Sequence, residues 1–156
     1  MKRKSFLTFL CLALFTASAW AGPVVGDSSL LDTKYTTGMV VNLEDWFAAH
    51  PVAAGGPSRA DVIFSSPRAQ VLLANNSGPQ IGLHYHQSAD EIIFVYKGQG
   101  EMYIDGQWVP VKAGDVHVNP RGVIHGIRVV GDEDLQFLSV YSPPQAGGND
   151  KVLINP

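Results

Sequence analysis

The sequence predicts an all-β fold, a sandwich or barrel of short antiparallel strands preceded by one short helix. Three observations carry that expectation. From Arg59 onward, runs rich in Val, Ile, Phe and Tyr recur about every eight to twelve residues, divided by turn residues. Sixteen Gly and ten Pro in 156 residues supply many turns and argue against a long helical bundle. Asp105-Gly106, set between Met102-Tyr103-Ile104 and Gln107-Trp108-Val109, is a two-residue hairpin signal.

The elements follow in chain order. Lys2, Arg3 and Lys4 precede an uncharged, largely apolar run from Phe6 to Ala19, and Ala19-Trp20-Ala21 has the small-residue pattern of a cleavage site. This is the pattern of an export signal over residues 1–21, with Gly22 as the new first residue and a periplasmic or secreted destination. The apolar run falls short of the roughly twenty residues a membrane span needs. Residues 22–58 form an arm and a short helix. Asn42 caps that helix over Leu43 to Ala49, Glu44 and Asp45 occupy its first turn, and Pro51 ends it. Gly55, Gly56 and Pro57 make the following loop. Strands are expected near residues 60–65, 69–74, 80–86, 91–97, 100–104, 107–111, 115–118, 124–130 and 135–141, within one β domain over 59–142. The stretch 143–156 is read as a C-terminal tail, its Pro- and Gly-rich part from Pro143 to Asn149 on the surface.

Composition narrows the function. The chain is 46% hydrophobic and 16% charged, which suits a single globular core rather than a disordered chain. Loss of the signal removes three basic residues and no acidic one, taking the formal net charge from −3 to −6. An acidic surface without a basic stripe argues against nucleic acid and anionic membranes as partners. Cys11 is the one cysteine and lies within the signal, so the mature chain is expected to hold no disulfide and no zinc–thiolate site.

Four of the five histidines fall in the β region. His84 and His86 are two apart and project to one face of a strand. Glu91 re-enters on the next strand, and His125 arrives just past Pro120-Arg121-Gly122. Three imidazoles and a carboxylate converging inside a barrel make a nitrogen-and-oxygen site for one divalent transition metal: Fe, Mn, Zn, Ni or Cu. Taken alone, His84 and His86 are more simply two surface histidines on a strand.

The spacing decides otherwise. Gly78, His84, His86, Glu91 and Gly98 stand with five, one, four and six residues between them. Gly114, Pro120, Gly122 and His125 stand with five, one and two between them, and fifteen residues separate Gly98 from Gly114. These anchors resemble the two motifs of the cupin family, over residues 78–129 in motif and 59–142 in strand pattern. The resemblance implies an antiparallel jelly-roll barrel with His84, His86, Glu91 and His125 as metal ligands, and pairing into a homodimer through sheet edges. One position departs: where the second motif normally has Asn, this chain has Val129. That Asn supports rather than ligates, so its loss bears on activities needing a polar group there.

Other candidates have plainer explanations. His117 could face the cavity as an acid or base, but a satisfied or exposed strand histidine explains it better. His50 suits a helix end. Tyr85 should pack outside, and Tyr96, Tyr103 and Tyr141 are read as packing rather than cavity phenols. Arg121 and Arg128 could grip a substrate carboxylate, although arginines near turns are routine. Asn75 is read as a turn residue. Ile81, Leu83, Ile93, Val95 and Ile127 are expected to make an apolar inner wall. Two functional readings follow. One is a metal-dependent enzyme of dioxygenase, decarboxylase, isomerase or lyase type, acting on a small oxygenated organic molecule. The other is a non-catalytic module that holds a metal or small ligand.

Overall fold

The computed structural model describes residues 38–78, 81–145 and 150–154; the export signal expected over 1–21 lies outside the described residues. Among the described residues, one helix, α1 (Leu43–Ala49), precedes ten strands. These are β1 (Arg59–Ser65), β2 (Gln70–Asn76), β3 (Ile81–His86), β4 (Asp90–Lys97), β5 (Gln99–Ile104), β6 (Gln107–Lys112), β7 (Val116–Asn119), β8 (His125–Val129), β9 (Leu135–Ser142) and β10 (Lys151–Leu153). The first nine match the sequence expectation to within two residues at each end. The tenth lies in the segment read as tail. It joins the barrel by pairing with β3.

All pairings are antiparallel and make two five-stranded sheets, ordered β1-β2-β9-β4-β7 and β10-β3-β8-β5-β6. Apart from the hairpins β1–β2 and β5–β6, successive strands alternate between the sheets, so the chain winds them together as a jelly roll. The β5–β6 turn is the one expected: Asp105 and Gly106 both have positive φ, as a twist-matched two-residue hairpin requires. Helix α1 begins where Asn42 Oδ1 accepts the Asp45 amide, at 3.0 Å. It buries Phe47, whose ring stacks on Tyr96 of β4.

Between the sheets, alternation sorts side chains into core and surface. On β4, Glu91, Ile93 and Val95 point inward, and on β9 Leu135, Phe137, Ser139 and Tyr141 do. Leu135, Phe137, Val95 and Met102 fill one end with apolar packing, against which Val129 rests half-buried. The departure at Val129 therefore falls in this apolar end, where it pairs with Gly100. His84, His86, Glu91 and His125 gather toward the other end.

Gly98 shows why a motif glycine is needed. Its φ is +81°, and a Cβ there would sit 2.2 Å from the Asp134 carbonyl oxygen. Gly106 has a similar φ of +82° but open space around it. Gly106→Ala should therefore cost only the left-handed strain, about 1–2 kcal/mol. Gly98→Ala should cost at least about twice that in urea unfolding, because strain and collision add. Equal losses would contradict the close approach.

Candidate metal centre

Strand β3 places His84 and His86 on one buried face, with Tyr85 turned away. His84 is registered directly against His125, the first residue of β8. Between Ile81 and His84 the register slips, so residues three apart both face inward and Leu83 faces out. That slip corrects the expected wall. Ile81, Ile93 and Ile127 line the cavity, Val95 lies in the core, and Leu83 packs outside against Gly126. The turn before β8 is tied to the first motif, since the Gly122 amide donates to the His86 carbonyl at 2.7 Å.

The opposite sheet supplies Glu91, from its β4 strand. Its lateral neighbours in register are Asn119 on β7 and Tyr141 on β9. Both grip the carboxylate: Tyr141 donates its hydroxyl to Oε1 at 2.5 Å, and Asn119 donates its amide to Oε2 at 3.2 Å. One sheet thus presents imidazoles and the other an oriented carboxylate.

The ligand nitrogens of His84, His86 and His125 lie within 4.8 Å of one another, and all three residues are buried. Each ring is anchored from behind. Nδ1 of His84 donates to the Gly82 carbonyl at 2.7 Å, that of His125 to the Val123 carbonyl at 2.9 Å, and that of His86 to Asp150 Oδ2 at 2.9 Å. These acceptors fix the tautomer and leave each Nε2 as a lone pair aimed inward. Among the described residues, Nε2 of His86 and of His125 are buried without a hydrogen-bond partner. They face Glu91 Oε2 at 3.7 and 3.1 Å, a lone pair toward a carboxylate oxygen. Orphaned acceptors converging on a carboxylate are what a cation satisfies. The residues present therefore fit a divalent transition metal.

The electrostatics agree. Burial, with repulsion from Lys151 and the neighbouring imidazoles, pulls the His84 pKa down to about 4 against the Gly82 hydrogen bond, which raises it, and the net result favours the neutral ligating form. Burial also lowers His86, partly offset by Glu91 and Asp150. For Glu91 burial acts upward, but His125 when it carries a proton, together with the Tyr141 hydroxyl, outweighs it and holds the carboxyl at about 2. Burial and Glu91 push the Tyr141 phenol well above its usual range, so it stays a donor.

The four expected ligand residues come together, and the lesser candidates sort cleanly. His117 is buried on β7, hydrogen-bonds Asn119 and does not line the cavity, as a satisfied histidine would. His50 closes α1, with Nδ1 on the Trp46 carbonyl. Arg128 pairs with Glu101 and lies over Trp108, and neither it nor Arg121 lines the cavity. Tyr96 and Tyr103 pack on aromatic neighbours, whereas Tyr141, read as packing, holds Glu91. Asn75 is buried in β2 rather than in a turn. Asn119 and Asp150 escaped the sequence reading. Asn119 had a signal in the alternation Val116-His117-Val118-Asn119, which puts it on the His117 face. Asp150 had none: its partner His86 is 64 residues away.

A cupin-domain family model matches residues 73–141. The chain belongs to the cupin family. It is 41% identical over 63 residues to an oxalate-binding protein of Thermotoga maritima, covering 40% of this chain and 52% of that one. The chain spans about half the length of the curated relatives it matches. Among solved structures, a predicted oxalate decarboxylase from Thermotoga maritima shares 31% identity at a TM-score of 0.52, covering 55% of this chain and 79% of that one. An uncharacterized protein with a double-stranded β-helix domain from Klebsiella pneumoniae covers 77% of this cupin and 100% of its own chain, at a TM-score of 0.62 and 21% identity, a likeness of fold. Cupins commonly bind a metal, and the three-histidine cluster fits one.

The anchoring of His86 is open to test. Asp150 is buried and is itself held by Ser88, whose amide and hydroxyl donate to Oδ1 at 2.7 and 2.6 Å. Asp150→Ala removes the acceptor that orients His86. Metal affinity should fall about 10–100-fold in a chelator competition. Unchanged affinity would show that His86 needs no such partner.

Proposed function

We propose that this cupin is a metal-dependent enzyme acting on a small oxygenated organic acid outside the cytoplasm, with His84, His86, Glu91 and His125 holding one divalent transition metal. The observation that carries the reading is three back-anchored imidazoles at the wall of an apolar cavity, with the inward nitrogens of His86 and His125 buried without a partner among the described residues. When bound, such an ion supplies Lewis-acid polarisation of a substrate oxygen or, if it is Fe, Mn or Cu, redox chemistry.

The chain's own residues shape the rest. Three neutral imidazoles and one carboxylate leave a divalent ion one net positive charge, which favours an anionic oxygen. Tyr141 and Asn119 keep Glu91 ionised and oriented. Leu72, Ile81, Ile93, Ile127 and Phe137 give the cavity an apolar lining that favours the carbon part of a substrate over bulk water. Its volume of about 190 Å³ lies below the roughly 300–1,000 Å³ of pockets for drug-sized ligands, which suits a few-carbon acid. The names given to the Thermotoga maritima matches, which refer to oxalate, support the same class.

A second reading, a non-catalytic module that holds the acid, is favoured by the relative named as a binding protein. One experiment addresses both. Protein expressed with sufficient metals should carry close to one transition-metal ion per chain, and His86→Ala far less. His117→Ala should stay near wild type, because that residue reaches Glu91 only through Asn119. The loaded protein should consume oxygen or release carbon dioxide with some member of a panel of small acids and enols. Stoichiometric binding without turnover would favour the module, and equal metal in wild type and His86→Ala would defeat both.

Export and self-association complete the proposal. Export rests on Lys2 to Lys4, the apolar run and Ala19-Trp20-Ala21. Self-association draws support from an exposed apolar patch on the outer face of β4 and the edge strand β7, where Ile92 opposes Val118 and Phe94 opposes Val116. Native mass spectrometry of protein expressed in a Gram-negative host reads both: a dimer of chains starting within about two residues of Gly22. Retained Met1 would count against export, and a monomer against pairing.

A further inference from the structure

Strand β10 brings a cation to the cavity from outside both motifs and outside the 73–141 region that the family model matches. Directly opposed residues on antiparallel neighbours share a sheet face. Lys151 is opposed to His86, so it stands on the cavity side, while Val152, opposed to Tyr85, points away. Lys151 accordingly lines the cavity with the three histidines. Its charge is felt by His84 and attracted by Glu91.

Among the described residues no carboxylate forms an ion pair with Lys151, whereas Arg59, the other basic residue lining the cavity, is held 2.5 Å from Asp61. Lys151 is itself exposed, so it stands at the open rim of this apolar cavity, and a rim cation without a carboxylate partner draws an anionic ligand toward the opening.

We propose that Lys151 is the anion-recognising residue of this cavity, pairing with one carboxylate of a small diacid whose other end faces the three histidines. The inference rests on the metal-site reading and adds to it the substrate class and the residue that selects it. It also makes two effects run in opposite directions. Removing a nearby cation weakens an anionic ligand, yet leaves metal binding equal or tighter.

Cobalt-loaded full-length protein separates these effects, with visible absorption reading ligand binding and metal analysis reading occupancy. Oxalate and malonate are the probes, and oxamide is the neutral counterpart. Lys151→Met keeps the aliphatic stem without the charge. It should bind the diacids at least about tenfold more weakly at unchanged or higher cobalt content, with oxamide indifferent to the substitution. Lys151→Arg should stay within a few-fold of wild type. Diacid binding by Lys151→Met equal to wild type, or no diacid binding by loaded wild type, would overturn the assignment while leaving the metal site intact. Wild type that takes up no cobalt would overturn the metal site itself.

Discussion

A buried carboxylate facing buried imidazoles is costly unless each group is oriented and the charges are balanced. Glu91 meets that constraint through Tyr141 and Asn119, which occupy its two oxygens from the strands on either side. The imidazoles meet it from the opposite sheet by giving their Nδ1 protons away from the centre. What remains is a cluster of inward nitrogens and one carboxylate oxygen, which a divalent cation would satisfy together. Much of the fold's irregularity serves this arrangement.

The register slip in β3 lets Ile81 line the cavity while His84 and His86 also face it. Positive φ at Gly122 shapes a turn whose amide binds the His86 carbonyl, so a backbone hydrogen bond ties the two motifs together. β10 closes the other side of β3 and sets Asp150 behind His86. A strand of three residues thereby contributes as directly to the site as the motif strands. At the far end Val129 packs against the apolar cluster that includes Leu135 and Val95, at the position where the second motif normally has Asn.

Strand positions and the convergence of the four candidate ligand residues were legible because both rest on local chemistry. Alternation, turn residues and fixed spacing are written into contiguous sequence, so helix α1, the first nine strands and the gathering of His84, His86, Glu91 and His125 could be anticipated. The slip between Ile81 and His84 was not, since it arises from pairing with β8 and leaves no mark on β3 itself. Tyr141 looked like any barrel aromatic until register set it beside Glu91. Asp150 and Lys151 follow a Pro- and Gly-rich stretch that reads as tail. Their roles depend wholly on where β10 docks. Side chains whose meaning comes from a distant partner are those that periodicity cannot reveal.

X-ray absorption on metal-loaded wild type and on Glu91→Gln offers the most direct view of the centre. The wild-type spectrum should show three imidazole nitrogens and a carboxylate oxygen around the ion. Glu91→Gln should retain the imidazole signal while losing the short carboxylate contribution. A wild-type ion with fewer than three imidazoles, or an unchanged oxygen shell in Glu91→Gln, would contradict the assignment of these residues to one metal site.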